Sequence, residues 1–351
     1  MKNEKRRFIF TCCLLMINLA VSCTRTPRST QSESSKYGTV TDSQGRIVAI
    51  PKKIEKTIIL NSICYAMLQI IGASNTVIGT QFSKLKTTAP DLQNFGTWTA
   101  PNVERIIEAA PDAVLAYGRR IPAESARQIE ESGLTLAFFD FFIPSDTARE
   151  IIELGRLYRN EEAAKEYVAF LDQYYSLINE RLSGIKDEDR KTVYFELYSD
   201  YASVSKGSGA QEIIDTAGCI NIAAGASVPY PRVSDEWILG HDPDIIVRCV
   251  SSNDSNIMGP DVMDTAKAEK FYQALLKRSG WNGLAAVKNE KLILMYPDIA
   301  ISPEGNIAGV LTIAKLAYPD RFRDIDTAVV YAEIQGRFFN NKNPRGLMVY
   351  P

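Results

Sequence analysis

Two stretches of this chain carry the same residue types at the same spacing. Trp98, Asn102, Glu104, Ile106, Pro111, Asp112 and Val114 are matched 132 positions further on by Tyr230, Ser234, Glu236, Ile238, Pro243, Asp244 and Ile246. In each copy an aromatic ring stands six residues before a carboxylate, and Pro-Asp begins seven residues after it. The chemistry on offer is non-covalent: a ring face can cover a ligand and a carboxylate can meet a cation on a partner. Asn102 and Ser234 are suited to N-caps, which puts Glu104 and Glu236 in a first helical turn, where the helix dipole favours a carboxylate. Pro-Asp then ends each helix and turns the chain into a strand. Each Glu is therefore expected to be exposed, with its aromatic in the loop just upstream and Ile106, Ile107, Ile238 and Leu239 turned to the core. Two copies in different halves imply two similar lobes facing each other.

Other chemistries find little support. The single histidine, His241, lies in Gly240-His241-Asp242-Pro243 and reads as a helix C-terminal residue bonded to the last carbonyls. Capture of a bare zinc or manganese ion calls for several His and carboxylates. A Ser-His-Asp site would have to use His241, and no nucleophile-elbow motif accompanies a serine. Gly207-Ser208-Gly209 lacks the lysine and spacing of a phosphate loop. No catalytic residue, resident metal or cofactor is expected, and the function is read as non-enzymatic.

The elements that must position the repeats alternate between strand and helix. Thr39 to Pro51 reads as an entry hairpin around Asp42-Ser43-Gln44-Gly45. Short apolar strands are expected at 57–60, 76–79, 113–116 and 134–139, with helices at 63–71 and 121–132 between them. The pattern restarts at Thr192, with strands at 193–197, 245–249 and 291–295 and helices at 210–217, 271–278 and 307–316. Such alternation predicts α/β lobes with mostly parallel sheets. Between the lobes Ser145-Asp146 can cap one helix through Leu157, and Asn160 a second through Leu182. Tyr167, Phe170, Leu171, Tyr174, Ile178 and Leu182 share one face of the second. At 22 residues it is about 33 Å long, enough to join two lobes as a rod or to lie along one of them. The expected organisation is an N-terminal lobe over 37–144, linking helices over 145–184 and a C-terminal lobe with its tail over 185–351. Phe338 to Pro351 is read as an extended tail.

In parallel sheets, ligands bind where loops leave the carboxyl ends of strands. The loops there hold Asn61 to Tyr65, Phe82, Trp98, Tyr117, Arg119, Arg120, Phe141 and Phe142 in the first lobe. The second lobe supplies Tyr198, Tyr201, Tyr230, Arg232, Arg248, Tyr296 and Asp298. Aromatic faces with a few arginines suit a large, flat or multi-ring ligand carrying some negative charge.

The N-terminus reads as a targeting segment. Lys2, Lys5, Arg6 and Arg7 precede an apolar run from Phe8 to Val21, too short for a comfortable membrane span. Without residues 1–22 the chain keeps 36 basic and 41 acidic residues, a net charge of about −5, which argues against a nucleic-acid partner. Residues 24–36, serine-rich and almost without apolar residues, read as a tether. Cys64, Cys219 and Cys249 remain in the body, an odd number that allows at most one bridge and otherwise reads as plain core thiols.

These residues resemble a known family, the substrate-binding proteins of bacterial ABC importers for ferric siderophores, haem and cobalamin. The resemblance runs from about Tyr37 to Ile325. It rests on the entry hairpin (DSQGR, 42–46), on FGTWTAPNVERIIEAAPDAVL (95–115), on VPYPRVSDEWILGHDPDIIV (228–247) and on Trp281 with AAVKN (285–289). Ala20-Val21-Ser22-Cys23 is similar to a lipobox, implying cleavage before Cys23 and lipid on its thiol. The family implies two α/β lobes joined by one long helix, a cleft between them and small opening motions. It also implies that one exposed Glu per lobe, here Glu104 and Glu236, docks onto arginines of the two permease subunits. Trp98 matches a cleft aromatic of the cobalamin-binding member, whereas Tyr117 and Tyr230 stand where that member has Trp. The function implied is capture of an intact metal chelate, a ferric siderophore-type complex first, by a monomeric, lipid-anchored extracytoplasmic receptor. The expected ligand contacts are Trp98, Tyr117, Arg119, Tyr198, Tyr201, Tyr230, Arg232, Arg248 and Tyr296. Corrinoid or haem is the alternative cargo, with Tyr117, Tyr198, Tyr201 and Tyr230 open as axial ligands to haem iron.

Overall fold

The computed structural model describes residues 35–81, 92–251, 257–303, 305–341, 344 and 346–351. The chain enters through a hairpin of β1 (Thr39–Thr41) and β2 (Ile47–Ala49). The first lobe is a sheet of β3 (Thr57–Ile59), β4 (Val77–Thr80), β5 (Gln93–Asn94), β8 (Ala113–Ala116) and β9 (Leu136–Phe138) in the order β5-β4-β3-β8-β9, every pair parallel. A small antiparallel ribbon, β6 (Gly96–Thr97) with β7 (Ala100–Pro101), precedes β8. The second lobe orders β10 (Thr192–Glu196), β11 (Ile220–Asn221), β12 (Ile245–Cys249), β13 (Leu292–Met295) and β14 (Val349–Tyr350) as β11-β10-β12-β13-β14. Its pairs are parallel except the last, where β14 closes the edge antiparallel to β13. The inner strands β3, β8, β12 and β13 are mostly apolar and buried, as expected where helices cover both faces of a parallel sheet.

The sequence repeat is also a repeat in three dimensions. Asn102 Oδ1 accepts from Arg105 N at 3.1 Å and Ser234 Oγ accepts from Trp237 N at 3.3 Å. The capped helices, Val103–Ala109 and Asp235–His241, both end on a left-handed residue, Ala110 at φ 44° and Asp242 at φ 41°. Asp112 Oδ2 then accepts from the Glu55 and Lys56 amides, while Asp244 Oδ2 accepts from the amide and hydroxyl of Thr192. The Pro-Asp carboxylate thus ties each helix to the start of a central strand of its lobe, β3 or β10. Ile106 and Ile238 are fully buried, as the spacing requires, whereas Ile107 is 40% exposed, so the seven-residue helix presents only a narrow apolar stripe.

Two helices, Pro144–Leu157 and Glu161–Leu182, join the lobes. The first starts at Pro144, one residue before the expected cap, because Ser145 is used elsewhere: its amide and hydroxyl both donate to Glu212 in the second lobe. Asn160 opens the second helix but turns its carboxamide back to the Ile71 carbonyl, at 2.8 Å. Tyr167, Phe170, Leu171 and Ile178 on the long helix are buried in one apolar cluster that runs from Val40 and Met67 in the first lobe to Ile213 and Leu294 in the second. A smaller cluster of Ile58, Leu60, Phe95, Ile106 and Val114 covers the other face of the first sheet. Alternation along β3 sends Ile58 to one cluster and Ile59 to the other. Cys64, Cys219 and Cys249 are buried free thiols. Where an extended tail was expected, the chain first forms a helix, Thr327–Phe338, capped by Asp326 Oδ1 accepting from Ala328 N and Val329 N. Only then does it extend into β14. No described helix is long and apolar enough to cross a membrane.

Candidate ligand cleft

Between the lobes lies a cleft of about 960 Å³. The first lobe contributes the start of helix Ile63–Ile70, with Tyr65 and Gln69, and the rings of Trp98 and Phe142. Trp98 sits in the turn between β6 and β7, 39% exposed, and tilts against Tyr117 at 5.8 Å; Tyr117 meets Phe142 edge-on at the same distance. The second lobe contributes Tyr198, Tyr230 and Tyr296, followed by Asp261 and Asp298. Tyr198 and Tyr230 are 39% and 48% exposed and leave ring surface open to the cleft. The lobes touch at its base, where a Cβ on Gly209 would fall 2.1 Å from the Phe142 carbonyl oxygen, so only glycine allows this approach.

The phenols of the cleft are held protonated. Partial burial pushes the Tyr296 hydroxyl up to about 12, with Asp298 and Asp261 adding to the effect. Burial raises Tyr198 too, helped by Cys249 and Asp298. Tyr230 is raised by burial and partly brought back by Arg120 and Arg119. Burial likewise raises Tyr117, which also feels Asp140. At neutral pH these groups act as ring faces and O–H donors.

Five of the nine sequence-predicted contacts fall at the cleft. Trp98, Tyr198, Tyr230 and Tyr296 line it, and Tyr117 supports Trp98 from behind. Arg119 stays near its rim, 57% exposed, with its guanidinium over Phe142 at 5.0 Å and 3.6 Å from Asp140. The other three are placed differently. Arg248 is only 4% exposed and turned inward. Its Nη1 and Nη2 donate to the Leu197 and Tyr198 carbonyls and its Nε lies 3.3 Å from Glu196. A buried guanidinium must be paired, and this one is paired with its own lobe. Tyr201 donates to Asp235 at 2.9 Å and packs under Arg278, while Arg232 donates to the Asp200 carbonyl. Phe141 is core, stacked on Phe139; Phe82 lies outside the described residues, as does Cys23.

Among the described lining residues the charged ones are therefore acidic, Asp261 and Asp298, with Arg119 and Arg120 set back near Tyr117 and Tyr230. No group of three His, Cys, Asp or Glu able to hold a metal ion occurs among the described residues. His241 is exposed, its ring tilted against Trp237 at 3.9 Å with Nδ1 hydrogen-bonded to the Trp237 carbonyl. Glu104 and Glu236 are both exposed in the first turn of their helices, and Ser234 helps hold the Glu236 carboxyl below its usual range.

Sequence reasoning overlooked Gln69, Asp261 and the whole contribution of the C-terminal helix. Tyr331, Gln335, Phe339 and Asn341 all line the cleft. The signal was present: Asp326 precedes Val330, Ile334 and Phe338 at four-residue intervals, a cap followed by an apolar stripe.

Residues 60–299 match the periplasmic binding protein family, and the chain belongs to it. It is 24% identical over 333 residues to the uncharacterised ABC transporter substrate-binding lipoprotein YvrC of Bacillus subtilis, a match covering 92% of this chain and all of YvrC. It is 22% identical to the molybdate-binding protein MolA of Haemophilus influenzae, over 86% of this chain and 90% of MolA. To the vitamin B12-binding protein of Salmonella typhimurium it is 26% identical, over 59% of this chain and 73% of that protein. The fold is that of the TroA-like periplasmic binding protein FepB from Veillonella parvula, with a TM-score of 0.73 at 19% identity over 89% of this chain and 99% of that one. The protein is a substrate-binding component of an ABC importer, working with a permease and binding a small-molecule ligand.

Proposed function

We infer that this protein is a lipid-anchored extracytoplasmic receptor that captures an intact metal chelate, a ferric siderophore-type complex, and hands it to an ABC import permease. The observation that carries the reading is the 960 Å³ cleft faced by Trp98, Phe142, Tyr198, Tyr230 and Tyr296. That volume suits a drug-sized or larger ligand and is far more than a bare ion or a tetrahedral oxyanion fills. Asp261 and Asp298 on the wall would repel an oxyanion such as the molybdate bound by the related MolA. With Arg248 occupied inside its own lobe, the cleft favours a chelate whose metal charge is already neutralised by its own donors. It favours such a chelate over a strongly anionic one. A corrinoid is the second reading, supported by the likeness to the vitamin B12-binding protein and by the wall of aromatic rings. Haem is the weaker version of that reading, because the one histidine, His241, is not among the residues lining the cleft and nothing singles out one of the phenols as an axial ligand.

Glu104 and Glu236 are assigned the permease contact. Each is exposed at the same point of an equivalent helix, one per lobe. Cys23 is assigned the lipid, a reading supported by its lipobox-like context and by the likeness to the lipoprotein YvrC. Ligand titration tests the whole. Purified protein lacking residues 1–23 is titrated with a ferric trihydroxamate, a ferric tricatecholate, cyanocobalamin, cobinamide and haemin, following Trp98 fluorescence and heat. Binding of the hydroxamate or a corrinoid tighter than about 1 μM, about −8 kcal/mol, is expected. If none of the five binds that tightly, chelate capture is wrong.

A further inference from the structure

The cleft has a third wall. Helix Thr327–Phe338 and the residues after it lie beyond the family-matched residues 60–299, yet they supply Tyr331, Gln335 and Phe339 to the cleft. Four-residue spacing places these three along one stripe of the helix and its continuation. The neighbouring stripe is clamped in place. Phe338 meets the rings of Tyr167 and Phe170 on the long linking helix at 4.9 and 5.3 Å. Arg337 pairs with Glu166 at 2.9 Å, and Tyr174 donates to Glu333 at 3.0 Å. Val330 and Ile334 are buried in the main core. A helix held at so many points presents its other stripe as a preformed surface, which lowers the ordering cost of binding.

The chemistry of that surface differs from the rest of the cleft. Tyr331, 7% exposed within the main core, and Phe339, packed against that core, offer ring surface, while the half-buried Gln335 offers a carboxamide with two donors and an acceptor. Gln69 on helix Ile63–Ile70 adds a second carboxamide to the lining. The described charges lie elsewhere, with Asp261 and Asp298 on the second lobe and Arg119 and Arg120 near Tyr117 and Tyr230. An uncharged, bidentate hydrogen-bonding surface next to a ring matches an amide or hydroxamate edge, and penalises a carboxylate or sulfonate edge that cannot be paired there.

We propose that the C-terminal helix is the selectivity wall of this receptor: Gln335, flanked by Tyr331 and Phe339, recognises the uncharged amide-type periphery of the chelate. The proposal rests on the chelate reading of the cleft. Gln335→Leu and Gln335→Glu are compared with wild type, each titrated with the ferric trihydroxamate and with cyanocobalamin. Val329→Ala, 62% exposed on the same helix and not among the residues lining the cleft, is the control. One lost neutral hydrogen bond is worth about 5- to 10-fold in affinity. The expected result is that loss for whichever probe wild type binds, in both Gln335 variants, with the control and all unfolding midpoints unmoved. Phe339→Ala should weaken the same probe independently. If wild type binds a probe and both Gln335 variants bind it equally well, the selectivity wall is wrong while chelate capture stands. If wild type binds neither probe, this proposal falls, and the five-ligand titration decides whether the chelate reading falls with it.

Discussion

Replacing Arg248 by methionine separates a structural arginine from a ligand contact. The guanidinium is buried beside Glu196, itself fully buried, and donates to the carbonyls of Leu197 and Tyr198. Methionine keeps most of the apolar stem but makes none of these bonds. Two part-buried carbonyls that each lose a charged donor cost about 1 kcal/mol apiece. Stripping a buried carboxylate of its only counter-charge costs about 3–5 kcal/mol. Glu196, however, keeps a two-pronged pair with Arg278 at 2.8 and 3.0 Å, so about a third to a half of that cost applies. The sum is about 3–4 kcal/mol, a large share of the stability of a protein this size. Urea unfolding followed by circular dichroism reads it as a lower midpoint with an unchanged slope. The loop carrying Tyr198 loosens as well, so ligand affinity should fall only a few-fold. A variant with wild-type stability and abolished binding would refute the argument, because it would put Arg248 in contact with the ligand rather than inside the lobe.

Glu104→Arg combined with Glu236→Arg should leave ligand affinity unchanged and abolish uptake in cells, since like charges would then face each other at the permease; normal uptake removes both residues from docking. A pH effect follows from the carboxyls behind the cleft. Burial chiefly raises Asp140 to about 6 and Glu150 to about 7, against the favourable bonds from Gly118 N and Phe141 N. In the unfolded chain both ionise near pH ~4. Between these values the folded protein holds protons that the unfolded chain has released, so stability falls as pH rises from about 4 to about 7 and levels off above. Glu150→Gln should flatten the upper part of that slope in urea midpoints taken at pH steps, and a profile as steep as wild type would contradict the assignment.

What could be read from the sequence was local. The caps at Asn102 and Ser234, the turn at Pro-Asp and the exposed Glu between them depend on residues within one helical turn, and spacing reports those directly. Arg248 was misread because its partners are not neighbours: Glu196 is 52 positions away and comes into reach only when β10 pairs with β12. An arginine at a strand end looks the same in sequence whether it faces water or a buried carboxylate. Tyr201 was misread for the same reason, since Asp235, its acceptor, lies on another element. The C-terminal helix was missed although its cap and stripe were legible. Its placement against the linking helix was not, because that contact joins residues as far apart as Glu166 and Arg337.

The apolar cluster that runs through both lobes and the linking helix bears on how traffic through the importer is regulated. Lobes that share one core, with Gly209 against Phe142 and Ser145 bonded to Glu212 at the junction, move little relative to each other whether or not the cleft is filled. If Glu104 and Glu236 make the permease contact, their spacing changes little on loading, and an empty receptor would fit the permease nearly as well as a full one. Unloaded copies would then compete with loaded ones, so raising expression of the receptor alone, at scarce ligand, should slow import rather than speed it.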